Sequence, residues 1–161
     1  MESRKKESIE KKLFHLLIQK KKTLACAESC TGGLVSNRIT NIAGSSKYFL
    51  GSIVSYSNSA KVALLNVPEK NIKKYGAVSS QTCLAMAKGV KSVFSADIST
   101  AVTGIAGPGG GTSKKPVGLA FIAVISGSKK STRKVFFKGS RESIKNKFAT
   151  AVLEMVYNLI G

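Results

Sequence analysis

"TLACAESCTGGLVSNRITNIAG", residues 23–44, carries the decision about the fold. The apolar run through Ala27 stops at an acid, a hydroxyl and a thiol (Glu28, Ser29, Cys30). Gly32 and Gly33 follow, and apolar residues then recur at helical spacing. The run "TLACA" (23–27) predicts a buried strand, and the later spacing predicts a helix from near Thr31 to around Gly44. Strand, tight turn and helix in that order form the unit from which α/β domains are built. Such a corner displays Ser29 at the edge of a sheet, and paired glycines let backbone N–H groups approach an anion closely.

The flanking sequence repeats the alternation. Ile9, Leu13, Phe14, Leu16 and Leu17 recur between lysines over about Lys5 to Lys21, as in an amphipathic helix. "YFLGSIVSY" (48–56) reads as a strand, with Ser57 or Asn58 able to cap the short helix "SAKVALLN". "VPEKNIKKYG" reads as a helical turn closed by Gly76, and Ser79 or Ser80 can cap the helix "QTCLAMAKGVKSVF". A third strand, "ISTAVTG" (98–104), runs into the loop "GIAGPGGGTSKKP"; "VGLAFIAVI" and "STRKVFFK" are close enough to pair as a hairpin. A last helix runs from about Ser140 to Leu159. One domain over 1–161 is expected, a three-layer α/β/α sandwich with a mixed β-sheet.

Composition narrows the function classes. No stretch reaches the 18 or so apolar residues of a membrane span, and "MESRKKESIEKK" lacks the apolar core of a secretory signal, so a cytoplasmic protein is expected. Three cysteines (Cys26, Cys30, Cys83) cannot all pair and read as reduced thiols. A net charge of +18 favours anionic partners. The lysines are dispersed, however, Trp is absent, and the aromatic and cysteine patterns of nucleic-acid modules are missing. A solvated basic surface is the alternative to a nucleic-acid site.

The residue inventory also limits the chemistry. His15, the only histidine, falls inside the N-terminal amphipathic helix, which leaves histidine triads and zinc sites without support. Lysine then remains to activate a serine, because a desolvated amine loses its proton near neutral pH. Lys61 lies in the opening turns of the helix after the second strand, where the helix dipole and partial burial both disfavour an ammonium. Tyr56 offers a hydroxyl to orient that amine. Ser29 reads either as a nucleophile or as a helix N-cap, Lys61 either as a base or as an exposed helix lysine, and Cys30 is the rival nucleophile. The loop "TGIAGPGGG" has neither the P-loop nor the dinucleotide order, and reads as a generic anion loop that Arg141 could complement.

"AESCTGG", "GSSKYFLGSIVSYSNSAK", "YGAVS", "TGIAGPGGG" and "KPVG", in this order and spacing, resemble the CinA C-terminal domain family from about Leu24 to the last helix. The resemblance implies a stand-alone nicotinamide-nucleotide amidase, which hydrolyses nicotinamide mononucleotide to nicotinic acid mononucleotide and ammonia, with no metal or organic cofactor. It implies Ser29 as nucleophile, Lys61 as base and Tyr56 as supporting hydroxyl. Gly32 and Gly33 would hold the oxyanion, and Ser46, Thr103, Gly104, Gly107, Gly109, Gly110 and Arg141 would contact substrate. It also implies a homo-oligomer. Ser59 stands where relatives often carry glutamate, and Ser140 where they often carry an acid, which bears on rate or affinity more than on reaction type. A non-catalytic nucleotide or nucleic-acid binding module, and an amidase for another carboxamide, are the competing expectations.

Overall fold

The computed structural model describes residues 7–161. The chain runs α1 (Ile9–Lys20), β1 (Leu24–Glu28), α2 (Leu34–Thr40), a 3-10 turn (Ser45–Lys47), β2 (Phe49–Val54), α3 (Asn58–Leu65) and α4 (Glu69–Tyr75). It continues with α5 (Ser80–Phe94), β3 (Ile98–Gly104), β4 (Leu119–Ser126), β5 (Lys129–Phe136) and α6 (Arg141–Ile160). Lys5, the expected start of the first helix, lies outside the described residues; Ser8 caps α1 by accepting from the Lys11 N–H. No helix among the described residues is long and apolar enough to cross a membrane.

The five strands form one mixed sheet in the order β2-β1-β3-β4-β5. β1 pairs parallel with β2 and β3, β4 runs antiparallel to β3, and β5 antiparallel to β4. The last two strands make the expected hairpin, with Gly127 and Ser128 as its two-residue turn. Alternation along each strand sorts side chains to two faces. Cys26, Ile98, Val102, Ile122 and Val124 pack with Leu13, Leu17, Val35, Ile39 and Phe148 of α1, α2 and α6. Ala25, Ala27, Ala101 and Ala123 pack under Cys83, Met86, Ala87 and Val90 of α5, with Leu65 of α3. Small residues on that second face let α5 lie close to the sheet. These layers are the α/β/α sandwich expected from the sequence.

Both boundaries of α2 depart from expectation, its end falling at Thr40 rather than around Gly44. The helix expected from near Thr31 begins only at Leu34, because residues 30–33 form a turn in which Gly32 and Gly33 take positive φ values of 59° and 100°. Ser29 therefore stands five residues before the helix and does not cap it. The connection leaving β1 enters α2 on one face, whereas the connection leaving β2 enters α3 on the other. Adjacent strands whose connections part to opposite faces open a crevice at their carboxyl ends, the usual ligand position in an open α/β sheet.

Candidate active site

Ser29 ends up in that crevice because β1 delivers it there, and its backbone N–H is held by the Val102 carbonyl of β3 at 3.1 Å. Lys61 arrives from the other side. Ser57 caps α3 by accepting from the Ala60 N–H at 3.1 Å, which places Lys61 one turn into the helix with its side chain turned inward. The two side chains meet with Lys61 Nζ 3.0 Å from Ser29 Oγ. Lys61 is 1% exposed and Ser29 7%.

The remaining partners of the amine decide its chemistry. Lys61 Nζ also lies 2.9 Å from the Ser55 carbonyl and 3.2 Å from the Tyr56 carbonyl, and no carboxylate is paired with it among the described residues. A neutral amine has two N–H donors and one lone pair. Two carbonyls and one hydroxyl match the three donors of an ammonium when Nζ donates to Ser29 Oγ, and match the neutral amine when the serine O–H turns to donate to its lone pair. Burial pushes the Lys61 pKa below the ordinary lysine value, since desolvation disfavours the ammonium.

Cys30 is the weaker nucleophile. Burial raises its thiol to about 12, the negative charge of Glu28 adding to the effect, so it stays protonated at neutral pH. All three cysteines are buried and unpaired with one another. His15 lies on α1 beside Glu7, with Nε2 3.3 Å from its carboxylate, and takes no part in the site.

Glu28, which sequence reasoning noted only as an acid near a strand end, organises the turn. Its side chain is fully buried, and Oε1 accepts from Thr31 Oγ1 at 2.7 Å and from the Val35 N–H at 2.9 Å. Oε2 accepts from the Ser36 N–H at 3.0 Å, from Ser36 Oγ and from Ser52 Oγ at 3.4 Å. The carboxylate thus caps α2 from the strand below and fastens the turn that carries Ser29. An acid closing an apolar strand was the available signal, because a buried charge demands partners. Ser55 presents the opposite case: its hydroxyl is buried and has no hydrogen-bond partner among the described residues.

The other expected site residues divide into those near the pair and those elsewhere. Tyr56 contacts Lys61 through its carbonyl; its hydroxyl instead accepts from Arg141 Nη2 at 3.2 Å, so the expected role of that hydroxyl in orienting the amine is not met. Arg141 Nη1 also donates to the Gly107 carbonyl at 2.5 Å, tying the start of α6 to the glycine loop. The Gly32 N–H closes a turn onto the Ser29 carbonyl at 3.0 Å and is unavailable to an oxyanion. No acceptor takes the Gly33 or Thr31 N–H among the described residues.

Gly104 and Gly107 are required by packing. A Cβ on Gly104 would come within 2.6 Å of the Leu119 carbonyl, and one on Gly107 would collide with Val117. Gly109 and Gly110 are exposed at the tip of the loop. The Thr103 hydroxyl donates to the Ala77 carbonyl at 3.0 Å and fastens the loop before α5 rather than facing a ligand. Ser46 sits before the start of β2, at the opposite end of the strand from Lys61, so within one chain it does not reach the pair. Six residues at about 3.3 Å each separate the two ends.

A cleft of about 360 Å³ adjoins the Ser29 turn, lined by Leu34, Arg141, Glu142, Lys145 and Asn146. Lys145 Nζ lies 3.9 Å from where a Gly32 side chain would begin. Two cations therefore flank the corner, a setting that suits an anionic group. No group of three or more His, Cys, Asp or Glu side chains suited to a metal occurs among the described residues.

Comparison with known proteins gives a consistent result. Residues 6–160 match the model of the CinA C-terminal domain. A CinA-like protein of Desulfotalea psychrophila is 49% identical over 140 residues, covering 87% of this chain and 34% of that protein. Another, from Pseudothermotoga lettingae, is 42% identical over 154 residues, 96% of this chain and 38% of the relative. The chain thus spans about a third of the length of these relatives. Among solved structures, the competence/damage inducible protein CihA from Agrobacterium tumefaciens superposes with a TM-score of 0.91 at 35% identity, covering 99% of each chain. A competence-damaged protein (CinA) superfamily protein from Enterobacter cloacae does so with a TM-score of 0.93 at 29% identity, covering 100% of this chain and 97% of its own.

Proposed function

This chain belongs to the CinA C-terminal domain family, and from that premise we propose that it is a nicotinamide-nucleotide amidase working through a serine–lysine acyl-enzyme. The observation that carries the reading is the buried Lys61 amine, held by two carbonyls with its third position 3.0 Å from Ser29 Oγ. Lys61 accepts the Ser29 proton as Oγ attacks the carboxamide carbon, and the N–H groups of the 30–33 turn left without acceptors stabilise the oxyanion. The Lys61 ammonium then delivers its proton to the departing ammonia. Water attacks the resulting ester, Lys61 takes its proton, and Ser29 is regenerated with release of the carboxylic acid. Gly33 is the member of the glycine pair whose N–H remains available for the oxyanion.

Arg141 and the exposed glycines at the loop tip supply the complement to the substrate phosphate, with the Tyr56 hydroxyl fixing the guanidinium. We place the enzyme in the cytoplasm, where three unpaired thiols stay reduced. The test is ammonia release from nicotinamide mononucleotide without added metal, beside a panel of other carboxamides. Turnover of the mononucleotide that vanishes in Ser29→Ala supports the reading. Full turnover in that variant sinks the mechanism, and preference for a different carboxamide sinks the substrate.

A further inference from the structure

Lysines that are scattered along the sequence gather at one edge of the molecule. Between Asp97 and Glu142 the chain has no acidic residue. β5, at the far edge of the sheet from β2, carries Lys129, Lys130, Arg133 and Lys134, all exposed. None of them is paired with a carboxylate among the described residues. Charge on an edge strand keeps other strands from pairing with it, which accounts for a lysine or two. It does not account for the aromatic ring beside them. Lys130 and Lys134 lie opposite Ile125 and Phe121 of β4, whose side chains pack on the α5 face, so by alternation Lys130, Thr132, Lys134 and Phe136 form one row on that face. Phe136, at the end of the row, is 49% exposed. Before its start, at the Gly127–Ser128 turn, lies a concavity of about 480 Å³ walled by Lys20, Lys22, Lys91 and Lys129, with Asp97 as its only acid. Lys91 Nζ donates to the Ala96 and Asp97 carbonyls and Lys22 Nζ lies 3.9 Å from the Asp97 carboxylate, whereas Lys20 and Lys129 have no such partner among the described residues.

We infer that this edge binds single-stranded nucleic acid, a function separate from amide hydrolysis. Charge selects a polyanion: unpaired cations spaced along an extended strand meet phosphates spaced along an extended chain, and the release of counterions drives the association. The ring selects among polyanions. An exposed phenyl in the same row offers a base a stacking face, which neither an acidic side chain nor a lipid phosphate can use. Shape selects the single strand. β5 is paired along its whole length with β4, which is buried in the sheet, so no free two-stranded ribbon can enter a duplex groove. Bases stacked inside a duplex also keep their faces from Phe136. The concavity lies at the end of the sheet where Leu24 pairs with Ile98, and Ser29 stands past the other end, three strands away from β5, so a strand bound here leaves the Ser29–Lys61 crevice open.

Fluorescence anisotropy of a labelled oligothymidylate with the full chain tests this without amidase substrate, so its outcome is independent of the amidase reading. The wild type is expected to bind the oligonucleotide more tightly than a duplex of the same length. Its log affinity is expected to fall with log salt at a slope of about −3, since each phosphate contact on a single strand contributes about −0.7 and Lys129, Lys130, Arg133 and Lys134 each supply one. Combining Lys130→Glu with Lys134→Glu is expected to lower affinity at low salt and to flatten that slope. Phe136→Ala is expected to lower affinity about 10-fold with the slope unchanged, because stacking releases no counterions. The same charge reversal on α4, Lys70→Glu with Lys74→Glu, leaves affinity and slope as in the wild type, and far-UV circular dichroism is unchanged in every variant. A wild type that does not bind oligothymidylate at low salt overturns the inference. So does a chain that prefers the duplex, that binds polyglutamate or anionic lipid vesicles as tightly, or that loses affinity equally through the α4 substitutions.

Discussion

The Lys61 amine and the Ser29 hydroxyl lie 3.0 Å apart although 32 residues separate them in sequence, and they reach the same crevice from opposite faces of the sheet. Replacing either removes one half of a coupled unit. Ser29→Ala and Lys61→Ala are each expected to lower amide hydrolysis by about 10²–10⁴-fold, the range for a lost general base, and the double variant by little more than the worse single one. Lys61→Arg belongs with the inactive set, because a guanidinium keeps its proton at any working pH. Ammonia release followed over time reads all four; an active Lys61→Arg enzyme would exclude the amine as base.

Burial lowers the Lys61 pKa, and the sign of its effect on rate follows directly. The base must be uncharged, so kcat/KM rises with pH through the Lys61 pKa, with a midpoint below the about 10.4 of a free lysine. Stability moves the same way. Between the folded and unfolded pKa values the unfolded chain binds more protons, so stability increases with pH across that window and a cost persists below it. Lys61→Met is expected to melt higher than the wild type at neutral pH and to lose this pH dependence. Calorimetry at several pH values checks it, and an identical pH slope in the two proteins would contradict the assignment.

Glu28 acts through the turn it fastens, not on substrate. Glu28→Gln puts an amide donor against a donor of Ser36 or Val35, leaving a buried group unpaired at a cost of about 1–3 kcal/mol. The melting temperature is expected to drop by several degrees. Because the same turn carries Ser29, kcat should fall more than KM rises. A variant as active and as stable as wild type would show that the capping interactions are dispensable.

Ser55 gives a prediction of opposite sign. Its buried hydroxyl has no partner among the described residues, so Ser55→Ala removes an uncompensated polar group while leaving the carbonyl that holds Lys61. The variant is expected to be at least as stable as the wild type. Thermal denaturation decides; a loss of more than about 1 kcal/mol would mean that the hydroxyl has a partner in solution, such as an ordered water.

Local pattern and composition settled a good deal here. Apolar runs, caps and glycines put helix starts at Ser57 or Asn58, at Ser79 or Ser80 and near Ser140, and the third strand at Ile98–Gly104, because periodicity and capping are short-range and visible within one turn; the structure takes Ser57, Ser79 and Ser140 as the caps. A lone helical histidine likewise left lysine as the available base. Tertiary structure decided what depends on distance across the sheet. It turned Lys61 inward to meet Ser29, gave the Tyr56 hydroxyl to Arg141, sent Ser46 to the far end of β2 and made Glu28 the cap of α2. Hydrogen-bond partners are fixed by where the elements come together, and a strand-edge residue carries no mark in its own neighbourhood of which distant group it will face.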